Sequence, residues 1–248
     1  MDFPDLLTPA TALFLDFDGT LVDIAGQPHD VEVPHSLVQT LGCLNDLLGG
    51  AVAVVSGRPI SQIDDFLRPL HLAAAGVHGA ERRSAGGEMT LLSAPALDVV
   101  EQAARKLAAH NAGLLVETKR GSVALHYRQA PELEAACLST MQAAVQDSPG
   151  VTLLQGKMVV EAKPSGATKG GAIEAFLREP PFAGRAPLFV GDDITDEVGF
   201  ASVQRLGGLG VKVGDGPTVA WQRIATPELF RQQLRDAVIA RTGKAVTP

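Results

Sequence analysis

The chain has 248 residues, 46% of them hydrophobic and 20% charged, a globular balance that excludes wholesale disorder. A chain of this size makes one or two domains and buries roughly 70–75% of its unfolded surface without help from disulfides or metals. Its 21 basic and 28 acidic residues leave a net charge of −7, which argues against nucleic acid as a partner, since that affinity leans on Lys and Arg.

The two cysteines, Cys43 and Cys137, have no metal spacing and read as reduced thiols of a cytoplasmic protein. The opening MDFPDLLTPA has no basic stretch and no long apolar run, so no signal peptide is expected. No segment is long and apolar enough to suggest a membrane span.

In chain order, Ala12–Phe17 reads as a buried parallel strand ending in acids and glycine. Pro34 can open a helix whose Leu37, Val38, Leu41, Leu44, Leu47 and Leu48 recur at helical spacing until Gly49-Gly50 stops it. Ala51–Val55 is a second strand, a short helix follows Ser56–Pro59, and His71–Ala75 is a candidate third strand. The middle differs. A strand at Glu88–Leu92 and a helix from Pro95 to Asn111 precede two alternating strands, Leu114–Lys119 and Ser122–Tyr127, joined at Arg120-Gly121. A helix at Glu132–Gln146 and a strand pair, Thr152–Gln155 with Met158–Ala162, complete an α+β module. The βα alternation then resumes: helix Thr168–Leu177, strand Leu188–Val190, helix Thr195–Ser202, strand Gly210–Val213 and a closing helix Pro227–Arg241. The expected fold class is α/β, with a Rossmann-like parallel-sheet core interrupted by an inserted α+β module. The core is placed at 1–83 and 163–248, and the insert at 84–162.

Four motifs carry chemistry. Asp16-Phe17-Asp18-Gly19-Thr20 puts two carboxylates where a buried strand ends, the edge at which open parallel sheets bind ligands. One carboxylate can attack phosphorus and the other can shuttle protons. Gly19 permits a sharp turn, and Thr20 offers a hydroxyl. A bare Asp-x-Asp also occurs in metal-dependent glycosyltransferases, but the strand before it and the Gly-Thr after it favour phosphate chemistry. Ser56-Gly57-Arg58 places a hydroxyl and a backbone N–H near a helix start, a phosphate-binding pair that is weak evidence alone. Lys169, in the first turn of a helix, opposes the helix dipole unless its ammonium serves a phosphate site. Gly191-Asp192-Asp193-Ile194-Thr195-Asp196-Glu197 crowds four acids at a strand end. These repel one another unless a cation such as Mg²⁺ neutralises them, and the Ca²⁺-loop spacing of an EF-hand is absent.

In this order, each at a strand end, these motifs resemble those of the haloacid-dehalogenase phosphatase superfamily. The resemblance implies Asp16 as nucleophile and Asp18 as general acid and base. It implies Thr20, Ser56, Gly57 and Lys169 around the phosphoryl oxygens. The Asp16 side chain, the Asp18 carbonyl and Asp192 would ligate Mg²⁺, with Asp193 and Asp196 in or near the surrounding shell. The insert would be a C2-type cap that selects substrate.

Strand alternation in the insert puts Glu117, Lys119, Ser122, His126, Lys157 and Glu161 on one face, with an apolar face opposite for the helices. Mixed carboxylates and ammonium groups suit sugar hydroxyls, although a solvated face is the bland alternative. Gly76-Val77-His78-Gly79-Ala80-Glu81, Glu117-Thr118-Lys119, Gly156-Lys157, Glu161 and Gly191–Glu197 are similar to motifs of the trehalose-6-phosphate phosphatases. That resemblance implies Glu117, Lys119 and Glu161 as sugar contacts. Arg58 is carried as substrate-binding, as is His78, with a structural histidine as its alternative. The expected activity is Mg²⁺-dependent hydrolysis of a sugar phosphate, trehalose 6-phosphate first, by a chain acting without an obligate protein partner. Another sugar phosphate, such as sucrose phosphate, and a non-catalytic binding module are the alternatives.

Overall fold

The computed structural model describes residues 3–25, 30–92, 97–119, 121–156 and 158–243. Pro95, Arg120 and Lys157, named above, lie outside the described residues, as does the side chain of Lys119.

In chain order the elements begin with α1 (Phe3–Leu6), β1 (Thr11–Leu15), α2 (His35–Leu47), β2 (Val52–Val55), α3 (Ile60–Leu67), β3 (Ala73–Gly76), β4 (Glu81–Arg83) and β5 (Met89–Leu91). Next come α4 (Asp98–Ala109), β6 (Leu115–Lys119), β7 (Ser122–His126), α5 (Glu134–Gln146), β8 (Val151–Gly156) and β9 (Val159–Pro164). The chain closes with α6 (Lys169–Phe176), β10 (Ala186–Gly191), α7 (Glu197–Arg205), β11 (Leu209–Val213), β12 (Gln222–Ile224) and α8 (Pro227–Thr242). Contacts divide it into two compact units, Met1–Thr90 with Thr168–Pro248, and Leu91–Ala167. Among the described residues no helix is long and apolar enough to cross a membrane.

The first unit is built on an eight-stranded sheet in the order β12-β11-β10-β1-β2-β3-β4-β5. From β12 through β3 every pairing is parallel, and β4 turns antiparallel against β3. All five residues of β1 and all four of β2 are buried. This is why these strands read as unbroken apolar runs: a parallel strand covered on both faces has no polar side to alternate with. Phe14 of β1 packs against Phe176 and Phe182, with ring centroids 5.9 and 5.4 Å away. The chain leaves β1 toward β2 on one side and returns to β10 on the other. The order of strands therefore reverses at β1, and the carboxyl ends of strands at such a reversal are where open parallel sheets bind ligands.

The second unit is an antiparallel sheet, β6-β7-β9-β8. The register pairs Glu117 with Ala124, Ala124 with Glu161, and Lys119 with Ser122, so these residues share a face. The other face sends Val123, Leu125, Tyr127, Val160 and Ala162 into a core with Val100 and Ala104 of α4 and Cys137 and Met141 of α5. The α/β class with an α+β insert, read from the order of elements, is thus the class observed.

Several local readings change. Met89–Leu91 joins the edge of the large sheet, with Met89 and Thr90 in the first unit and Leu91 opening the second. The helix expected from Thr195 starts as a single 3-10 turn, Ile194–Asp196, before α7, because Asp193 and Asp196 cap it reciprocally. The helix expected at Glu132 likewise follows a 3-10 turn, Pro131–Leu133. Elements α1, β4 and β12 have three or four residues each, too short for any periodicity to register.

Candidate active site

Three strand ends and one helix start supply the site. Asp16 follows β1, and its N–H donates to the Val190 carbonyl of β10 at 2.9 Å. Only 4% of Asp16 is exposed. Lys169 opens α6 behind Thr168, whose hydroxyl oxygen accepts the Gly171 N–H at 3.0 Å and caps the helix. The buried Lys169 ammonium donates to Asp16 Oδ1 and to Asp196 Oδ1, both at 2.6 Å. The second oxygen of Asp196 accepts the N–H groups of Asp192 and Asp193 at 3.0 and 2.9 Å. Asp196 therefore folds back toward Lys169 and the Asp192 backbone, fully buried.

Oxygens of Asp16, Asp192 and Asp196 all lie within 4.8 Å of one another. Two glycines make room for this crowding. A Cβ on Gly19 would sit 2.2 Å from Asp192 Oδ2, and one on Gly191 would sit 2.4 Å from Asp196 Cγ. Three carboxylates at such range form a hard-oxygen set that suits a hard divalent cation and offers nothing to soft metals.

The electrostatics follow. Burial, and then the Asp196 carboxylate, push the Asp16 carboxyl well above the ordinary range, against the pull of Lys169. Asp192 is pushed up to about 6 by burial and by Asp196. Burial works to lower Lys169, but Asp16 and Asp196 outweigh it and hold the ammonium protonated.

The other expected groups divide. Thr20 is buried, and its hydroxyl donates to Asp192 Oδ1 at 3.2 Å. Ser56 Oγ accepts the Arg58 N–H at 3.1 Å. Arg58, expected as a substrate-binding residue, closes its guanidinium on Asp18, with Nε 2.6 Å and Nη2 2.7 Å from the carboxylate oxygens. Asp18 contributes no carboxylate to the metal-type cluster. Asp193 is exposed and caps the 3-10 turn. Gly57 is a glycine because the His78 ring lies over it, its Cε1 2.6 Å from where a Cβ would be. Val77 and His78 both hold left-handed backbone, at φ +49° and +57°. Such strain in a β-branched residue persists only where the surroundings enforce it.

In the second unit, Ser122 donates to Glu161 Oε1 at 2.6 Å, and His126 Nε2 lies 2.9 Å from Glu117 Oε2. Glu161 and Ser122 are buried. Four groups of the polar face inferred from alternation, Glu117, Ser122, His126 and Glu161, are therefore paired across it.

Sequence reading missed Lys212. Its buried ammonium donates to the Asp192 carbonyl. The signal was a lysine inside the apolar run Gly210-Val211-Lys212-Val213, where a charge needs a partner.

A family model described as trehalose-phosphatase matches residues 14–229. The chain belongs to the trehalose-phosphatase family. Trehalose-6-phosphate phosphatase of Escherichia coli is 44% identical over 228 residues, covering 90% of this chain and 85% of that protein. A probable trehalose-phosphate phosphatase of Sinorhizobium fredii is 45% identical over 206 residues, covering 82% and 77%. Among solved structures, a trehalose-6-phosphate phosphatase related protein shares 26% identity and a TM-score of 0.78, over 92% of this chain and 97% of that one. A haloacid dehalogenase-like hydrolase from B. subtilis, 14% identical with a TM-score of 0.67 over 90% and 97%, shares the fold. The matched residues include parts of both units.

Proposed function

We propose that this member of the family hydrolyses trehalose 6-phosphate to trehalose and phosphate through an aspartyl-phosphate. The observation that carries the reading is Asp16. It is a buried carboxylate at the carboxyl end of β1, ion-paired to Lys169 at 2.6 Å, in a family whose curated relatives are named for this substrate. Asp16 attacks phosphorus, the bond from phosphorus to the sugar oxygen breaks, and Asp18 gives that oxygen a proton. Asp18 then takes a proton from the water that attacks the acyl phosphate, which frees phosphate and restores Asp16. Lys169, Ser56 and the N–H groups of the Gly57 loop balance charge on the phosphoryl oxygens, the main demand of phosphoryl transfer. Phosphate release measured across trehalose, sucrose and hexose 6-phosphates tests this. Trehalose 6-phosphate should be the fastest by at least tenfold. A different best substrate, or no turnover, would replace the reading by another sugar-phosphate phosphatase or by a binding module.

Asp16, Asp192 and the Asp18 carbonyl would hold Mg²⁺, with Asp196 and Asp193 supporting them. When bound, the ion neutralises charge on the phosphoryl group and on the crowded carboxylates. Because Asp192 holds its proton up to about pH 6, Mg²⁺ must compete with protons there. Millimolar Mg²⁺ should raise the thermal midpoint more at pH 7.5 than at pH 5. An equal rise at both would remove Asp192 from the ion's ligands. EDTA should abolish turnover.

The insert, bounded near 84 and 162, is proposed to select the sugar through Glu117, Lys119 and Glu161, with His78 assisting. A carboxylate that accepts hydroxyl hydrogen bonds contributes about 1.5–3 kcal/mol, or roughly 10- to 150-fold in kcat/KM. Glu117→Gln and Glu161→Gln should show that loss on trehalose 6-phosphate and little on p-nitrophenyl phosphate, which has no hydroxyls to grip. Equal losses on both would mean that these residues support the fold.

A further inference from the structure

We infer that Arg58 is a positioning residue that acts through Asp18 and does not bind the substrate; this rests on the reading of Asp18 as the proton-transfer group. Two donors of the guanidinium meet the two oxygens of one carboxylate at 2.6 and 2.7 Å, a fork that fixes the resting carboxylate's angle as well as its distance, and one of its two arms opens when an oxygen takes up the proton it transfers. The arginine side chain is only 11% exposed, while that of Asp18 is 36% exposed. The buried partner is thus the holder, and the more open one is the group presented.

The rest of the first unit holds Arg58 in place. Helix α3 sets Gln62 and Phe66 one turn apart on the same face. The guanidinium lies 5.0 Å from the Phe66 ring centroid and 5.8 Å from that of Phe17, with Nη1 3.4 Å from Gln62 Oε1. These contacts flank the head group with a cation–π surface and a side acceptor. Its backbone is pinned as well. Ser56 Oγ accepts the Arg58 N–H at 3.1 Å, and the Arg58 carbonyl accepts the Val77 N–H at 3.0 Å. Val77 reaches that carbonyl from its left-handed conformation, φ +49°. The strained turn of the Gly76–Glu81 motif therefore has a use: it clamps the residue that aims Asp18.

A positioning residue leaves a signature that a structural one does not. Trehalose must leave as an alkoxide that needs a proton, whereas p-nitrophenolate leaves as an anion. Loss of Asp18's alignment should therefore be felt on the first substrate and hardly on the second. kcat/KM reports the step up to departure of the leaving group, so it is the quantity to compare. The full-length wild type, Asp18→Asn, Arg58→Met and the double variant would be assayed on both substrates, with thermal midpoints recorded.

Arg58→Met should lose about 10- to 100-fold in kcat/KM on trehalose 6-phosphate, below the range of roughly 10²–10⁴-fold for losing the proton-transfer group itself. It should lose less than about threefold on p-nitrophenyl phosphate, and nothing more once Asp18 is already Asn, since groups that act as a unit are not additive. Arg58→Lys, which keeps the charge but not the fork, should fall between and carries the same cycle if the Met variant does not fold. Losses that multiply in the double variant, or equal losses on both substrates, would put Arg58 on the phosphate or in the fold and overturn the inference. An Asp18→Asn protein as fast as wild type would overturn the reading of Asp18, and the positioning role with it. That result is visible before any Arg58 variant is made, so the two failures are distinct.

Discussion

Asp16→Asn should abolish turnover, on the order of 10⁶-fold as for loss of a covalent nucleophile, while leaving the protein as stable as wild type or more so. The two halves of this result have one cause. Asp16 is 4% exposed, and burial and the Asp196 carboxylate make its charge unfavourable. Lys169 offsets part of that cost, but it also pairs with Asp196 at 2.6 Å. A neutral amide of the same shape removes the repulsion and leaves the ammonium one carboxylate partner. The folded state loses little, and the attacking anion is gone. Phosphate release, hydroxylamine-labile phosphate on the protein, and the thermal midpoint are the measurements, with mass spectrometry excluding reversion of Asn to Asp. Residual turnover above background in a homogeneous variant would move the nucleophile elsewhere. A large fall in midpoint would mean that the Asp16 charge stabilises the fold.

What could be read from the amino acids depended on whether an element declares itself locally. The β1 run was legible because a strand buried on both faces is apolar without interruption. The two faces of the antiparallel sheet were legible because alternation has period two. Val123, Leu125 and Val160 go to the core, while Glu117, Ser122 and Glu161 share the other face. The acids of Gly191–Glu197 announced a site but not its shape. The resemblance put Asp196 in or near the shell around the ion but gave no partners, and the reciprocal capping with Asp193 goes with its turn inward to meet Lys169. The Asp18–Arg58 fork joins residues 40 positions apart, and Lys212 reaches Asp192 from 20 positions away. No local pattern encodes such pairs, because they depend on which strands become neighbours.

Lys169→Met should damage both stability and activity, in contrast to Asp16→Asn. The substitution keeps an unbranched side chain of similar length and removes the cation between two buried carboxylates. Removing one partner of a buried ion pair typically costs about 3–5 kcal/mol, because the charge left behind is unpaired. For a chain of this length that is on the order of 10 °C in thermal midpoint. The pH dependence has a definite sign. Without Lys169 the one strong influence lowering Asp16 is gone, so its folded-state value, already raised by burial and Asp196, rises further. A carboxyl raised in the folded state contributes its full stability below its unfolded value, near 3.9, and loses it as pH climbs through the folded value. The deficit of Lys169→Met relative to wild type should therefore narrow at pH 4 and widen toward pH 7.5. Over the same interval the variant's Asp16 stays protonated longer and cannot attack, so turnover at neutral pH should fall by at least the roughly 10²–10³-fold seen when one charge-stabilising donor is removed. A deficit independent of pH would show that Lys169 stabilises by packing alone. A variant with near-wild-type turnover would show that Asp16 needs no counter-charge to act.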